Sequence, residues 1–185
     1  MKITKTEIHG LLVIQPDVFS DSRGFFFESF SKKRYEDLDI QGEFVQDNFS
    51  RSKKNTVRGL HYQVGEKAQG KLCQVIEGEV LDVAVDISFN SPTFGKHFSL
   101  ILNSKLKNQL WIPIGFAHGF SVLSDEAIFS YKCTNYYSKA DERAILFNDP
   151  DLNIDWKVDE AVISEKDLNA TKFKEIKKDF IYKPD

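Results

Sequence analysis

Two short segments have the alternating side chains that are typical of β-strands: Arg58-Gly-Leu-His-Tyr-Gln63 and Lys71-Leu-Cys-Gln-Val-Ile76. Alternate side chains of a strand share a face, so Lys71 points the same way as Cys73. If Cys73 lines an interior, Lys71 points into that interior as well, near His61. A buried ammonium group is costly unless it has partners, which indicates a function for this lysine. The alternative from these residues alone is an edge strand with both groups in water.

The composition predicts one ordinary domain spanning residues 1–185. The chain is 41% hydrophobic and 29% charged and contains sixteen phenylalanines, so it can bury a substantial aromatic core. A net charge of −3 argues against a general nucleic-acid binder. We see neither an apolar run that could span a bilayer nor the apolar core of a signal peptide. We therefore expect a cytoplasmic protein without nucleic-acid or membrane partners, in which Cys73 and Cys133 are core thiols.

The N-terminal third predicts short strands, one tight turn and one helix. Asp21-Ser-Arg-Gly24 is typical of a turn, with Gly24 at a positive φ. Ser31 is placed to cap a helix from Lys32 to Leu38. Residues 51–55 are polar and basic, and we expect them to form a solvated loop.

The middle of the chain predicts further strands separated by turns, with Gly78 in a tight turn. After it, Leu81, Val83, Val85 and Ile87 alternate with polar residues. We expect that apolar face to be buried, and Asp82 and Asp86 on the other face to meet water. Many short strands with little helix indicate a sandwich or barrel.

The histidines do not form a recognisable metal site. We expect His9 and His97 to lie on the surface. A metal site in a β-barrel typically needs a close histidine pair and a carboxylate. His61 has no such neighbour, and Lys71 in the next strand would repel a cation. The sequence also lacks a nucleophile elbow and a glycine-rich phosphate loop, so we predict neither a metal ion nor an organic cofactor.

Proton transfer is the chemistry that these residues permit. His61 could be a general base, the usual role of an imidazole in proton transfer, and Tyr131 could be a general acid, although it could also be an ordinary core tyrosine. Lys71 could stabilise an oxyanion. Together they suit removal of a proton next to a carbonyl and its return from the opposite face, which is epimerisation. Arg23, Arg58 and Lys166 would suit an anionic group such as a diphosphate.

An ordered set of motifs runs along nearly the whole chain. The motifs are Asp21-Ser-Arg-Gly-Phe-Phe-Phe-Glu28, Gln46-Asp-Asn-Phe-Ser50, Arg58-Gly-Leu-His-Tyr-Gln63, Gly70-Lys-Leu72, Gly78-Glu-Val-Leu-Asp-Val-Ala-Val-Asp86, Pro113-Ile-Gly-Phe-Ala-His-Gly-Phe120, Tyr131-Lys-Cys-Thr134, Asn148-Asp-Pro150, Ile154-Asp-Trp156 and Ser164-Glu-Lys-Asp167. In this order they resemble the dTDP-4-dehydrorhamnose 3,5-epimerase family of the cupin superfamily. Each motif is weak alone, but the set is specific.

The resemblance implies an all-β cupin jelly roll, or double-stranded β-helix, with a few short helices. It implies an isomerase without metal or organic cofactor, which epimerises C3 and C5 of dTDP-4-dehydro-6-deoxy-D-glucose to give dTDP-4-dehydro-β-L-rhamnose. This product is a precursor of L-rhamnose in cell-surface polysaccharide. The resemblance also implies a homodimer in which an N-terminal strand crosses to the partner's sheet.

The resemblance assigns roles to individual residues. His61 is matched to the base, Asp167 to the carboxylate that orients it, Tyr131 to the acid and Lys71 to the group that steadies the enolate oxygen. From the residues alone, Asp167 could instead close a capping box that Ser164 begins. The residues matched to substrate binding are Arg23, Glu28, Gln46, Asp47, Asn48, Arg58, His118, Tyr137, Glu142 and Lys166.

Two further points stay open in the sequence. Tyr137 matches the ring that stacks on thymine, and its spacing to Glu142 favours it over the neighbouring Tyr136. Relatives exist that invert only C3 or C5 of a related nucleotide 4-keto-deoxysugar, or that use another nucleotide. A non-catalytic sugar-binding module ranks last, because His61, Tyr131 and Asp167 are all present.

Overall fold

The computed structural model describes residues 1–38, 40 and 42–184. The strands are β1 (Lys2–Lys5), β2 (Leu12–Gln15), β3 (Val18–Asp21), β4 (Gly24–Phe27), β5 (Gln46–Lys53), β6 (Val57–Gln63), β7 (Lys71–Glu77), β8 (Glu79–Asp86), β9 (His97–Asn103), β10 (Gln109–Ile112), β11 (Phe116–Val122), β12 (Glu126–Cys133) and β13 (Glu142–Ala144). The helices are α1 (Lys32–Glu36) and α2 (Glu165–Leu168), with 3-10 turns at Gly65–Lys67 and Phe173–Glu175. Among these residues, no helix is long and apolar enough to cross a membrane.

Two antiparallel sheets form the body of the fold. The first has the order β1-β2-β10-β7-β12-β5 and the second the order β13-β6-β11-β8-β9. Strands β3 and β4 form a separate hairpin. Neighbours that are distant in sequence, such as β7 with β10 and β12, give the crossing connections of a jelly roll. The predicted fold class, an all-β cupin jelly roll with a few short helices, is confirmed.

The main core lies between the two sheets. Cys73 and Phe129 enter it from the first sheet, and Val80, Ala84 and Phe120 enter it from the second. Because Cys73 is fully buried there, strand alternation carries Lys71 to the same side, and only 9% of Lys71 is exposed. The prediction of an inward-facing lysine on β7 is confirmed.

The expectation that Asp82 and Asp86 meet water is wrong. Both faces of β8 are buried, and Asp82 and Asp86 are 0% and 3% exposed. Val83 and its alternate neighbours pack on the outer face of the second sheet, in a second core that includes Trp156 and Phe180 of the C-terminal region. The C-terminal segment thus covers the face that a two-layer sandwich would leave exposed, and the aspartate face of β8 points between the sheets.

Other local predictions had mixed outcomes. Gly24 has a positive φ of 137°, as predicted, and Gly78 lies in the predicted turn between β7 and β8, with a φ of 80°. The first helix begins at Lys32, but the side chain of Ser31 makes no capping hydrogen bond and the helix ends at Glu36. The expected loop at residues 51–55 is wrong, because β5 continues through Lys53 in register with β12.

A glycine substitution tests the β7–β8 turn. We expect Gly78→Ala to lower the free energy of unfolding by about 3 kcal/mol, because its Cβ would overlap the Glu126 carbonyl oxygen and Ser124 Oγ. The control is Gly65→Ala, which also has a positive φ, of 61°, but meets nothing within 4 Å, and we expect a cost of about 1 kcal/mol. Urea denaturation measures both, and equal costs would contradict the steric account.

Candidate active site

A cleft of about 280 Å³ opens between the two sheets. The second sheet and its edge strand contribute Arg58, His61, His118 and Glu142, and the first sheet contributes Asn48, Lys71 and Tyr131. Tyr137 reaches the cleft from the loop after β12. The fold therefore brings together most of the residues that the sequence predicted for one site, from segments almost 100 residues apart.

His61 is paired with Asp167 from behind the cleft. His61 Nε2 lies 2.7 Å from Asp167 Oδ1, and the two side chains are 29% and 5% exposed. Asp167 lies in α2, whose N-terminus is capped by Ser164 Oγ accepting a hydrogen bond from the Asp167 backbone N–H. Ser164 thus caps α2 as predicted, while the Asp167 carboxylate turns to His61.

The electrostatics of this pair favour an ionised carboxylate. Burial alone would raise the pKa of Asp167, but hydrogen bonds from His61, the Gly59 backbone and Ser164 hold that pKa below its usual value. An ionised Asp167 can only accept a hydrogen bond, so His61 Nε2 carries the hydrogen and donates it, and Nδ1 is left with a free lone pair. This tautomer suits a base.

Tyr131 and Lys71 face His61 from the other sheet. Burial raises the pKa of Tyr131 to about 12, so its hydroxyl stays protonated and can donate a proton. Burial lowers the pKa of Lys71, whose Nζ donates to the His61 carbonyl oxygen at 3.4 Å and lies 5.8 Å from the centre of the Tyr131 ring. An imidazole and a protonated phenol thus face the cleft from opposite sheets, with a lysine on the same sheet as the phenol.

A second histidine–carboxylate pair lies deeper. His118 Nε2 is 2.7 Å from Asp82 Oδ1 and 3.7 Å from Cys73 Sγ, and burial lowers the pKa of His118. Donor atoms of these three residues lie within 4.8 Å of one another, and Asp82 Oδ2 has no hydrogen-bond partner among the described residues. They could therefore ligate a cation, but the charge of Lys71 also acts on Asp82 and opposes one. Our expectation of a metal-free site stays a prediction.

Three polar side chains at the mouth of the cleft contact one another. Tyr137 donates its hydroxyl to Glu142 Oε2 at 3.0 Å, and Lys166 Nζ lies 2.6 Å from the same oxygen. Tyr136 and Tyr137 are both more than half exposed, but Tyr137 lines the cleft and Tyr136 does not. This position agrees with the choice of Tyr137 over its neighbour.

Five predicted binding residues do not line the cleft of a single chain, and one of them, Lys166, is joined to it through Glu142. Arg23 lies in the β3–β4 turn, paired with Asp21, and Glu28 pairs with Arg34. Asp47 points outward to Lys132, and Gln46 Oε1 accepts a hydrogen bond from the Tyr137 backbone N–H. Their binding roles stay predictions.

Sequence reasoning missed Asp82, Gln63 and Gln69. Gln63 and Gln69 line the cleft, and strand alternation from His61 was a usable signal for Gln63. Asp82 lies on the face of β8 that the sequence pattern predicts to be exposed to water, so no local signal identifies it.

Comparisons with known proteins agree with this geometry. The sequence profile of the family described as dTDP-4-dehydrorhamnose 3,5-epimerase matches residues 5–175. The chain belongs to this family. A Shigella flexneri dTDP-4-dehydrorhamnose 3,5-epimerase is 55% identical, over 94% of this chain and 96% of its own length. Family membership makes the chain an isomerase, as predicted.

Solved structures of the family are similar over almost the whole fold. The dTDP-6-deoxy-D-glucose-3,5-epimerase of Legionella pneumophila, in complex with dTDP-4-keto-L-rhamnose, is 51% identical with a TM-score of 0.95, covering 99% of each chain. A 3'-monoepimerase from Streptomyces bikiniensis, in complex with dTDP-quinovose, is 30% identical with a TM-score of 0.86, covering 91% of this chain and 86% of its own.

The His61–Asp167 pair can be tested by neutralising the carboxylate. We expect Asp167→Asn to lower kcat by at least about a hundredfold, because an orienting carboxylate fixes the tautomer of a histidine base, an effect that reaches about 10⁴ in serine proteases. Glu165→Gln, an exposed change in the same helix, should leave kcat unchanged. Steady-state kinetics on purified variants measures both, and full activity of Asp167→Asn would exclude the orienting role.

Proposed function

We propose that this chain epimerises C3 and C5 of dTDP-4-dehydro-6-deoxy-D-glucose to give dTDP-4-dehydro-β-L-rhamnose. The observation that carries the proposal is the placement of His61 and Tyr131 on facing sheets across one cleft. A cytoplasmic location goes with it, because both cysteines are free and buried, which is usual in a reducing compartment.

The reaction is two rounds of the same proton exchange. His61 Nδ1 removes a proton from a carbon next to the C4 ketone, and the electron pair moves to the ketone oxygen. Lys71 donates a hydrogen bond to the resulting enolate oxygen. Because the site is buried, this hydrogen bond stabilises the negative charge more strongly than it would in water. Tyr131 then protonates the carbon from the opposite face, which inverts its configuration, and proton exchange with water restores His61 and Tyr131 to their starting forms before the second round.

The nucleotide is assigned to the mouth of the cleft. Arg58 and Lys166 would bind the diphosphate, and the exposed ring of Tyr137 would stack on the base. Asn48, His118 and Glu142 line the same cleft and would hold the sugar and its linkage. Gln46 and Asp47 are assigned to the same task next to them on β5.

We also propose a homodimer. The β3–β4 hairpin exposes Phe19, Phe25 and Phe26 at 65%, 58% and 70%, an apolar patch that a monomer would leave in water. Strand β5 is an edge strand, and its Phe49 is 68% exposed beside the cleft. A hairpin from a second copy would cover this edge and bring the partner's Arg23 to the cleft. Glu28, which follows the hairpin, would reach the site in the same way.

Proton exchange tests the proposed reaction. In heavy water, the enzyme should introduce deuterium at both C3 and C5 of dTDP-4-dehydro-6-deoxy-D-glucose, as followed by proton NMR. His61→Ala should abolish exchange at both carbons because the base is lost. Tyr131→Phe should reduce inversion more than exchange, because proton removal does not need the acid.

The other outcomes are informative. Label at C3 alone would identify a 3'-monoepimerase like the Streptomyces bikiniensis relative. No label would contradict the proposal for this nucleotide sugar, and GDP- or CDP-linked sugars would be tested next. Exchange by His61→Ala at the wild-type rate would remove His61 from the role of base.

The dimer is tested by charging the hairpin. Phe26→Asp should convert a dimer to a monomer in analytical ultracentrifugation and lower kcat/KM at least about tenfold, because each site loses the partner's hairpin. The control Ile101→Asp changes another exposed apolar residue, on β9, and should alter neither property. A monomeric wild-type enzyme with full activity would contradict the dimer.

A further inference from the structure

The aromatic mouth of the cleft sits on a segment with little regular structure. Residues 135–138 lie between β12 and β13 and form no strand or helix. No backbone–backbone hydrogen bond of residues 135–137 occurs within the described part of the chain. The position of the Tyr137 ring must therefore be fixed by other contacts.

Side-chain amides supply these contacts. Gln63 Nε2 donates to the carbonyl oxygens of Lys67 and Tyr136, both at 3.2 Å, and its Oε1 accepts from the Ser138 N–H at 2.6 Å. Gln63 thus ties the turn after β6 to both sides of Tyr137. A buried amide that makes three hydrogen bonds to backbone groups is a rigid link, because each broken bond leaves an unpaired polar group.

Asn135 strengthens the same connection. Its Nδ2 donates to the Glu66 carbonyl oxygen at 2.7 Å and the Ala68 carbonyl oxygen at 3.4 Å, and its Oδ1 accepts from the Tyr136 N–H at 2.8 Å. Gln69 Nε2 also donates to the Asn135 carbonyl oxygen at 2.8 Å. The two loops are therefore held together at several points along their length.

Gln63 has no hydrogen left for a ligand. Both hydrogens of its amide are used by backbone oxygens, and only 5% of the residue is exposed, although it borders the cleft two residues from His61. The amide of Gln63 therefore donates its hydrogen bonds within the protein and not to a substrate. This separates it from Arg58 and Lys166, whose charged groups can reach a ligand.

We propose that Gln63 is a positioning residue for nucleotide binding. It holds the 135–138 segment so that the Tyr137 ring stands ready at the mouth of the cleft, and it leaves the proton-transfer groups untouched. This inference rests on the proposed function, since it assigns the nucleotide to that mouth.

The test compares two buried glutamines. Gln63→Met removes the three hydrogen bonds while keeping the side-chain length, and we expect KM for dTDP-4-dehydro-6-deoxy-D-glucose and Kd for dTDP to rise about tenfold, with kcat within about twofold of wild type. The matched control is Gln109→Met. Gln109 is fully buried and bonds Ser29, Gln74 and Tyr35 away from the cleft, so this change should lower stability without altering KM.

The results separate this inference from the proposed function. A wild-type enzyme that neither binds dTDP nor turns over the sugar would remove the proposed function and this inference with it. If wild type does both, unchanged KM and Kd in Gln63→Met would overturn the positioning role alone. A fall in kcat at constant KM, or an equal rise in KM in Gln109→Met, would also overturn it. Asn135→Ala removes part of the same connection and should also raise KM, so the inference can still be tested if Gln63→Met does not fold.

Discussion

The hydrogen bond between His61 and Asp167 is the interaction on which the account of the site depends. It joins residues 106 positions apart, so it exists only if the C-terminal part of the chain returns to β6. Val162 does this by exchanging backbone hydrogen bonds with Asn55 and Val57 beside β6. The short helix α2 then begins directly after its N-cap, Ser164, and places Asp167 behind the imidazole. The second core beneath the C-terminal segment thus has a structural role and also determines the position of the carboxylate.

The interior between the two sheets contains several ionisable side chains. Lys71, Asp82 and His118 are all nearly buried, where a lone charge would be strongly unfavourable. His118 bonds Asp82, whereas among the described residues Lys71 makes a single, long hydrogen bond, to the His61 carbonyl oxygen. In the proposed reaction, the unused hydrogens of this ammonium group would be donated to the developing oxyanion and would lower the free energy of the enolate. The same burial keeps Tyr131 protonated.

Strand alternation predicted much of this site, because the inward face of a strand is a local property. It placed Lys71 with Cys73 correctly. It gave the wrong environment for Asp82. The C-terminal segment covers the Val83 face of β8, so the Asp82 face points between the sheets, and the strand's own sequence does not show this. The sequence alone left Asp167 as either a helix cap or a partner of His61, and only the tertiary structure places it against the imidazole. Arg23 matched a family motif, yet in a single chain it pairs with Asp21 in the β3–β4 turn and does not line the cleft, and strand alternation gives no information on contacts with a second copy.

The tautomer of His61 is the most direct test of the central claim. Nitrogen-15 NMR of the imidazole in the wild-type enzyme at neutral pH distinguishes the two ring nitrogens. The account predicts a neutral ring with the proton on Nε2, held by Asp167, and an unprotonated Nδ1. A spectrum with the proton on Nδ1 would contradict the account, because the nitrogen that is left to accept the substrate's proton would then be the one that faces Asp167.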